Sequence, residues 1–324
     1  MRTQLGLLPI YQAQQRIGRH IRRTPLLADP VLSDRCGGQV WLKLECRQVT
    51  GSFKARGAVN KVGLLTDAEK ARGIVTGSAG NHGLGVALAA RAWGDVTADI
   101  FVPTTAPATK VDKLRRMGIR LHLVGVTYED AHQAAEEHAR AHGATYIQAY
   151  DDVDVVAGQG TIGLEILDAL PQADVVLVPI GGGGMVAGVA TAVKSINPAC
   201  RVIGVQPEAS PAALLSLRDG RPYDPYDHAP TIADGLAGGF GALPFYLAGA
   251  LIDEVVLVSE TDMRRAIYEL LDRHQLVVEP SGAAAVAPLL DGRPDIAGRT
   301  VVCILSGGNI ATSLLRDILA EFTP

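Results

Sequence analysis

The chain lacks any pairing pattern among its cysteines: only Cys36, Cys46, Cys200 and Cys303 occur in 324 residues, and their spacing matches neither a zinc site nor a disulfide framework. They read as reduced thiols of a cytoplasmic protein, with no metal implied. An excess of one charge is lacking as well. Thirty Lys and Arg stand against 34 Asp and Glu, a net charge of −4 spread along the chain, which is no footprint for nucleic acid or for a polybasic membrane surface. Near the start, Gln12, Gln15, Arg16 and Arg19 lie at helical spacing where a signal peptide would need an apolar core. One long uncharged run exists, Val175 to Val193, about the length at which a membrane span becomes thinkable. Pro179 and the glycines 181–184 sit at its centre, however, and would leave backbone groups unpaired in lipid. No membrane partner follows, and neither internal repeats nor low-complexity tracts occur.

What the chain does have is apolar residues, 48% of the total, and enough length for two lobes with cores of their own. Short apolar runs alternate with helical patterns. Strands are expected at 73–76, 98–102, 120–124 and 144–148, separated by helices at the alanine-rich stretch to Trp93, at 108–117 and at 128–142. A second series gives a helix from Gln159 to Leu170, strands at 174–179, 201–206, 253–258 and 300–305, and helices at 185–195, 262–274 and 281–290, with a last helix opening at Ser306 to Asn309. Such alternation implies parallel βαβ units. The fold class is therefore α/β, with parallel-rich sheets flanked by helices. Residues 73–152 would form a smaller inserted domain and 1–72 with 153–324 a larger one. Sites in such folds lie at the carboxyl ends of strands.

Four loops could carry chemistry. In Gly51-Ser52-Phe53-Lys54-Ala55-Arg56-Gly57-Ala58, a strand-like run is followed by a turn and a helix, so Ser52 would cap the helix and Lys54 would lie in its first turn. There the helix dipole disfavours a cation and favours a neutral, nucleophilic amine. A lysine so placed is ordinarily a solvated surface side chain; the other loops reverse that reading. Gly181-Gly182-Gly183-Gly184, between a buried strand and a helix, offers bare N–H groups and a helix N-terminus to a phosphate. It also satisfies a loose G-x-G-x-x-A pattern ending at Ala187, but a dinucleotide site wants an acidic residue after the next strand, and Gln206-Pro207 stands there. Ser78-Ala79-Gly80-Asn81-His82-Gly83 suits a carboxylate, with N-capping by Ser78 or Asn81 as the plain alternative; His82 could be a base or a hydrogen-bonded structural group. Ser306-Gly307-Gly308-Asn309 presents a hydroxyl after an apolar strand. A lysine, a phosphate cradle, a carboxylate loop and a strand-end serine together meet the needs of pyridoxal phosphate bound to an amino acid.

These motifs resemble the fold-type II pyridoxal-phosphate enzymes, similar in fold to the tryptophan synthase β-subunit, and in particular the serine/threonine dehydratase branch that includes threonine ammonia-lyases and serine racemases. The likeness spans nearly the whole chain, through S-F-K-x-R-G-A at 52–58, S-A-G-N-H at 78–82, the tetraglycine loop and S-G-G-N at 306–309. It implies that Lys54 carries the cofactor covalently and is the catalytic base. By the same resemblance Phe53 packs beside it, Asn81 bonds the cofactor's phenolic oxygen, Gly181, Gly182, Gly183, Gly184 and Met185 hold its phosphate, and Ser306 faces the pyridine nitrogen. Gly235 and Glu279 line the cofactor, while Ser78, Ala79, Gly80, Asn81 and His82 receive the substrate carboxylate. The implied reaction is dehydration and deamination of a small β-hydroxy amino acid, L-threonine or L-serine. Threo-3-hydroxyaspartate, phenylserine and a hydroxyectoine-pathway substrate stay open, as does racemisation. From other classes, a nicotinamide-dependent oxidoreductase and a non-catalytic amino-acid-binding protein remain.

Departures from the branch refine this. Serine racemases have a serine where Ala79 stands, and Ala79 cannot deliver a proton from the opposite face, so elimination is favoured. Gln206 and Ala212 replace carboxylates of the branch's cation site. The chain ends soon after its last motif, which points to a catabolic type without feedback regulation. Specificity would come from the rim, Tyr128, Tyr150 and the 222–240 stretch. The resemblance also implies a homo-oligomer, a dimer or tetramer.

Overall fold

A computed structural model describes residues 5–293 and 296–322. Ten apolar runs become strands: β1 (Leu26–Asp29), β2 (Gln39–Lys43), β3 (Ile74–Gly77), β4 (Ala98–Val102), β5 (Arg120–Leu123), β6 (Thr145–Tyr146), β7 (Val175–Pro179), β8 (Arg201–Pro207), β9 (Glu254–Val258) and β10 (Thr300–Ile304). They form two sheets, one of six strands in the order β1-β2-β10-β7-β8-β9 and one of four in the order β5-β4-β3-β6. Every pairing is parallel except β1 with β2. All four strands of the smaller sheet come from within residues 73–152.

β7 and β10 are buried along their whole length, as parallel strands covered on both faces must be. Their side chains alternate between two cores. Val175, Leu177, Val301 and Cys303 join one cluster with Leu42, Met263 and Ile267, whereas Val176, Val178, Val302 and Ile304 join Ile162, Val186 and Val189 on the other face. The register, with Val302 opposite both Trp41 and Val176, therefore brings the carboxyl ends of β2, β10 and β7 side by side. The loops holding Lys54, Ser306 and the four glycines leave the sheet from those ends.

Several expectations are corrected. Residues 67–72, where no apolar periodicity predicts a helix, form one (Asp67–Arg72) because Thr66 and Glu69 make a reciprocal capping box. The helix expected from Gln159 begins at Val153, where the Asp152 carboxylate accepts from two backbone N–H groups. The single helix expected over 281–290 is broken into Pro280–Ala283 and a 3₁₀ turn at Ala287–Asp291. The last helix starts at Thr312, not at the Ser306 loop. Short helices at Pro30–Cys36, Ala212–Asp219 and Ala242–Ala248 were not expected. The first had a legible signal, Asp29 before Pro30, an N-cap followed by proline at the first position. Among the described residues, no helix is long and apolar enough to cross a membrane.

Candidate active site

Lys54 opens the helix Lys54–Gly63, whose N-cap is Phe53 and not Ser52. Ser52 instead pairs with Gly307 in an isolated antiparallel bridge, which ties the lysine turn to the end of β10 and leaves the buried Ser52 hydroxyl without a protein partner. Two glycine contacts fix this helix at backbone distance. A Cβ on Gly158 would lie 2.6 Å from Gly57 Cα, and one on Gly85 would lie 3.0 Å from the Lys54 carbonyl oxygen. Only glycine lets the helices Val153–Ala169 and Asn81–Ala92 approach so closely.

Beneath the lysine turn lies a buried ionic quartet. Arg56 spans Glu45 and Glu165, with contacts of 2.8 Å to each Glu45 oxygen and of 2.7 and 2.8 Å to the two Glu165 oxygens. Lys43 adds a 2.5 Å contact to Glu165 and a 2.8 Å bond to the Thr24 carbonyl. Burial pushes the Glu45 carboxyl up, but the Arg56 guanidinium outweighs it and holds the group below the ordinary range.

Lys54 Nζ donates to the Ala149 carbonyl at 2.9 Å, beside the Phe53 ring. Its pKa is lowered to about 8 by burial; a neutral amine is thus accessible near physiological pH. Ala149 follows β6, and the Ser78 loop follows β3, its neighbour in the smaller sheet, so the same adjacency that assembles one half of the site assembles the other.

The other expected residues form a connected set. Phe53 N–H donates to the Ser306 carbonyl at 3.1 Å. The Ser306 hydroxyl donates to the Ser281 carbonyl at 3.2 Å and the Ser281 hydroxyl accepts from Gly235 N–H at 3.0 Å. A Cβ at Gly181 would meet the Gly235 carbonyl at 2.6 Å. To donate to a ring nitrogen, Ser306 must swing its proton off Ser281. Asn81 Nδ2 donates to Glu279 at 2.6 Å, while Asn309 donates to Asn81 Oδ1 at 2.7 Å and its backbone N–H to the other Glu279 oxygen at 3.0 Å. This ring leaves Asn81 one N–H to offer a ligand. Burial, then Asp234, push the Glu279 carboxyl up to about 7.

Gly183 has φ +92 and caps the helix Gly184–Ile196 with no side chain satisfying its first turn, so those N–H groups remain for an anion. A Cβ on Gly183 would meet Pro244 at 2.7 Å and also the Phe240 ring; on Gly182 it would run into Tyr150. Met185 buries its side chain in the core and can contribute only its backbone here. In the carboxylate loop, the Ser78 hydroxyl accepts from Gly80 N–H at 3.3 Å and Ala79 packs toward Leu84 and Leu114; no side-chain cap starts the helix at Asn81. His82 donates from Nε2 to the Ile147 carbonyl at 2.9 Å, and burial, then Lys54, hold it down to about 3. It is neutral and structural. Sequence reasoning missed Ser281 and Asn309 as links, although Asn309 closes a motif it singled out and Ser281 lies two residues after Glu279, and missed the Ala149 carbonyl, which no side-chain pattern reveals.

The cradle without side chains, the lysine of lowered pKa and the Asn81 donor fit pyridoxal phosphate. Among the described residues no cluster of three or more His, Cys, Asp or Glu could hold a metal ion; Gln206 uses its amide oxygen on the N–H groups of Ala213 and Leu214. Comparison with known proteins agrees with the geometry. The chain is 43% identical over 316 residues to an L-threonine ammonia-lyase of Thermotoga maritima, covering 97% of this chain and 78% of that one. It is 42% identical over 312 residues to the catabolic L-threonine dehydratase of Escherichia coli K12, covering 95% and 94%. The solved structure of processed threonine deaminase isoform 2 from Solanum lycopersicum superposes with a TM-score of 0.93 at 36% identity, over 98% and 87% of the two chains. Residues 17–307 match the model of the pyridoxal-phosphate dependent enzymes, and this chain belongs to that family.

Proposed function

We propose that this enzyme is an ammonia-lyase that dehydrates and deaminates L-threonine to 2-oxobutanoate and ammonia, and L-serine to pyruvate and ammonia. The observation that carries this reading is the Lys54 amine: it has a lowered pKa and lies where the loops of both sheets meet, while the nearby His82 is engaged with the Ile147 carbonyl. The names of the relatives supply the substrate class. When bound, pyridoxal phosphate supplies an electron sink that lowers the cost of removing a proton from an amino acid's Cα.

The chain's own residues do the rest. Lys54 would hold the cofactor, and its Nζ, as a neutral amine, would take the Cα proton. Gly181, Gly182, Gly183, Gly184 and the Met185 N–H hold the phosphate. Asn81, oriented by Glu279 and Asn309, would donate to the cofactor's phenolic oxygen, and Phe53, Gly235 and Glu279 would line its place. Ser306 would offer a neutral hydroxyl to the pyridine nitrogen. The N–H groups and hydroxyl of residues 78–82 orient the substrate carboxylate. Ala79 brings no proton to the opposite face, which disfavours racemisation. We read residues 73–152 as the smaller of two domains, and the enzyme as a cytoplasmic dimer or tetramer, which light scattering checks.

The test is 2-oxo acid formation from L-threonine, L-serine, threo-3-hydroxyaspartate and phenylserine by the loaded enzyme. Threonine and serine should be turned over best; a protein that forms no 2-oxo acid from any of the four, or stays colourless and binds NADH, would falsify the reading. Cofactor uptake gives a second check. Because uptake requires the neutral amine and Lys54 titrates near 8, the rate at which apoprotein takes up pyridoxal phosphate should fall about tenfold per unit below pH 8 and level off above it. A flat profile between pH 6 and 8 contradicts the lowered pKa.

A further inference from the structure

The Tyr150 ring lies against the tetraglycine loop, since a Cβ on Gly182 would run into it, and a Cβ on Gly184 would crowd the Tyr150 backbone and Cβ. Its neighbour in the chain, Ala149, holds the Lys54 amine. Tyr150 therefore stands between the Lys54 amine's partner and the tetraglycine loop. Its hydroxyl donates to Asp224, 3.1 Å from one carboxylate oxygen and 3.4 Å from the other. Asp224 belongs to the connection after residue 221 and is itself packed against Gly239, where no Cβ could be accommodated. Tyr223, next to it, accepts from Phe240 N–H at 2.8 Å, and Phe240 covers Gly183. The rim carboxylate is thus pinned both to the wall of the site and to the strap that closes the phosphate loop.

The charged groups that act most on this pair are carboxylates. Asp151 and Glu129 act on Asp224, and Asp224 and Asp151 act on Tyr150. On the dehydratase reading, a short neutral side chain on the β-carbon would lie toward the ring of Tyr150 and bring no charge to Asp224. One carrying a second carboxylate would be brought toward Asp224, which is held by the Tyr150 hydroxyl, and like charges at close range repel, most strongly at low ionic strength.

We infer that the Tyr150–Asp224 pair is a specificity element that rejects β-carboxylated amino acids electrostatically while admitting short neutral β-hydroxy amino acids. The inference rests on the dehydratase reading above, and the experiment separates the two. The loaded wild type, Asp224→Asn and Tyr150→Phe are compared for kcat/KM with L-threonine and threo-3-hydroxyaspartate at low and high ionic strength. Asparagine keeps an acceptor for the Tyr150 hydroxyl but removes the charge. Asp224→Asn should raise the hydroxyaspartate-to-threonine ratio about three- to tenfold at low salt, and high salt should raise the wild-type ratio but not that of the variant. Tyr150→Phe, which frees Asp224 from its fixed position, should shift the ratio in the same direction by less. A merely structural role for Asp224 would lower both substrates together and leave the salt dependence in place. An unchanged ratio in Asp224→Asn overturns the inference while the dehydratase reading stands. Should the wild type turn over neither substrate, that reading fails, and L-aspartate binding, followed through the bound cofactor's absorbance, still decides the inference: Asp224→Asn must bind it at least about threefold tighter.

Discussion

Lys54→Ala should lower 2-oxo acid formation by on the order of 10³ to 10⁴ and abolish the visible absorption of the lysine-bound cofactor, with the fold intact. A positioned general base contributes about 10² to 10⁴ by itself, and in the function proposed above this residue is also the covalent attachment point. The fold should survive because Lys54 Nζ makes one hydrogen bond, to Ala149, and belongs to no ion pair among the described residues. Lys54→Arg separates charge from basicity. A guanidinium stays protonated at any working pH, so it keeps the cation and loses the base, and its activity should fall as far as that of the alanine variant. Small primary amines added to Lys54→Ala should restore part of the rate. Activity persisting within tenfold of wild type in either variant would remove Lys54 from the reaction.

The largest effect on stability should come from Arg56→Met. Removing one member of a buried ion pair typically costs about 3–5 kcal/mol, because the partner charges remain buried without compensation. Here the loss leaves Glu45 and Glu165, both buried, facing the same gap with only Lys43 nearby. Against the roughly 5–15 kcal/mol of a typical domain, that is a large fraction. The urea midpoint of the variant should fall accordingly, and Arg56→Met combined with Glu45→Gln should recover part of the loss, since the two sites share one network. A shift under about 1 kcal/mol would show that the quartet is not the keystone its geometry suggests.

The chemistry of this chain was more legible in its sequence than its geometry. Lys54, Asn81, the four glycines and Ser306 could be picked out because each sits at a strand-to-helix switch, and parallel strands bring such switches to one edge. Adjacency of β2, β10 and β7 could not be read, since it depends on a crossover of more than 250 residues between β2 and β10. Ser52 looked like a helix cap because the residue type and position suit one; pairing with Gly307, a contact between distant parts of the chain, overrode that local preference. The helix at 67–72 was missed despite its Thr66 and Glu69 signature, which a search for apolar periodicity passes over because none of its residues is buried. The Arg56 quartet was invisible for a different reason: charged residues in a sequence are presumed solvated, and nothing local shows that Glu45 and Glu165 meet the same guanidinium.

The close contacts at Gly57, Gly158 and Gly85 make the enzyme's tolerance of change one-sided. Any enlargement at those three positions must push a helix away from the backbone that carries Lys54, so the reactive amine moves with it. The rim is arranged otherwise. Asp224 is solvent-exposed and lies on a connection with no regular structure, where an asparagine of the same size removes its charge while keeping its contacts with Gly239 and Tyr150. Substrate choice can therefore drift under selection through rim residues while the address of the base stays fixed by side chains that are not there.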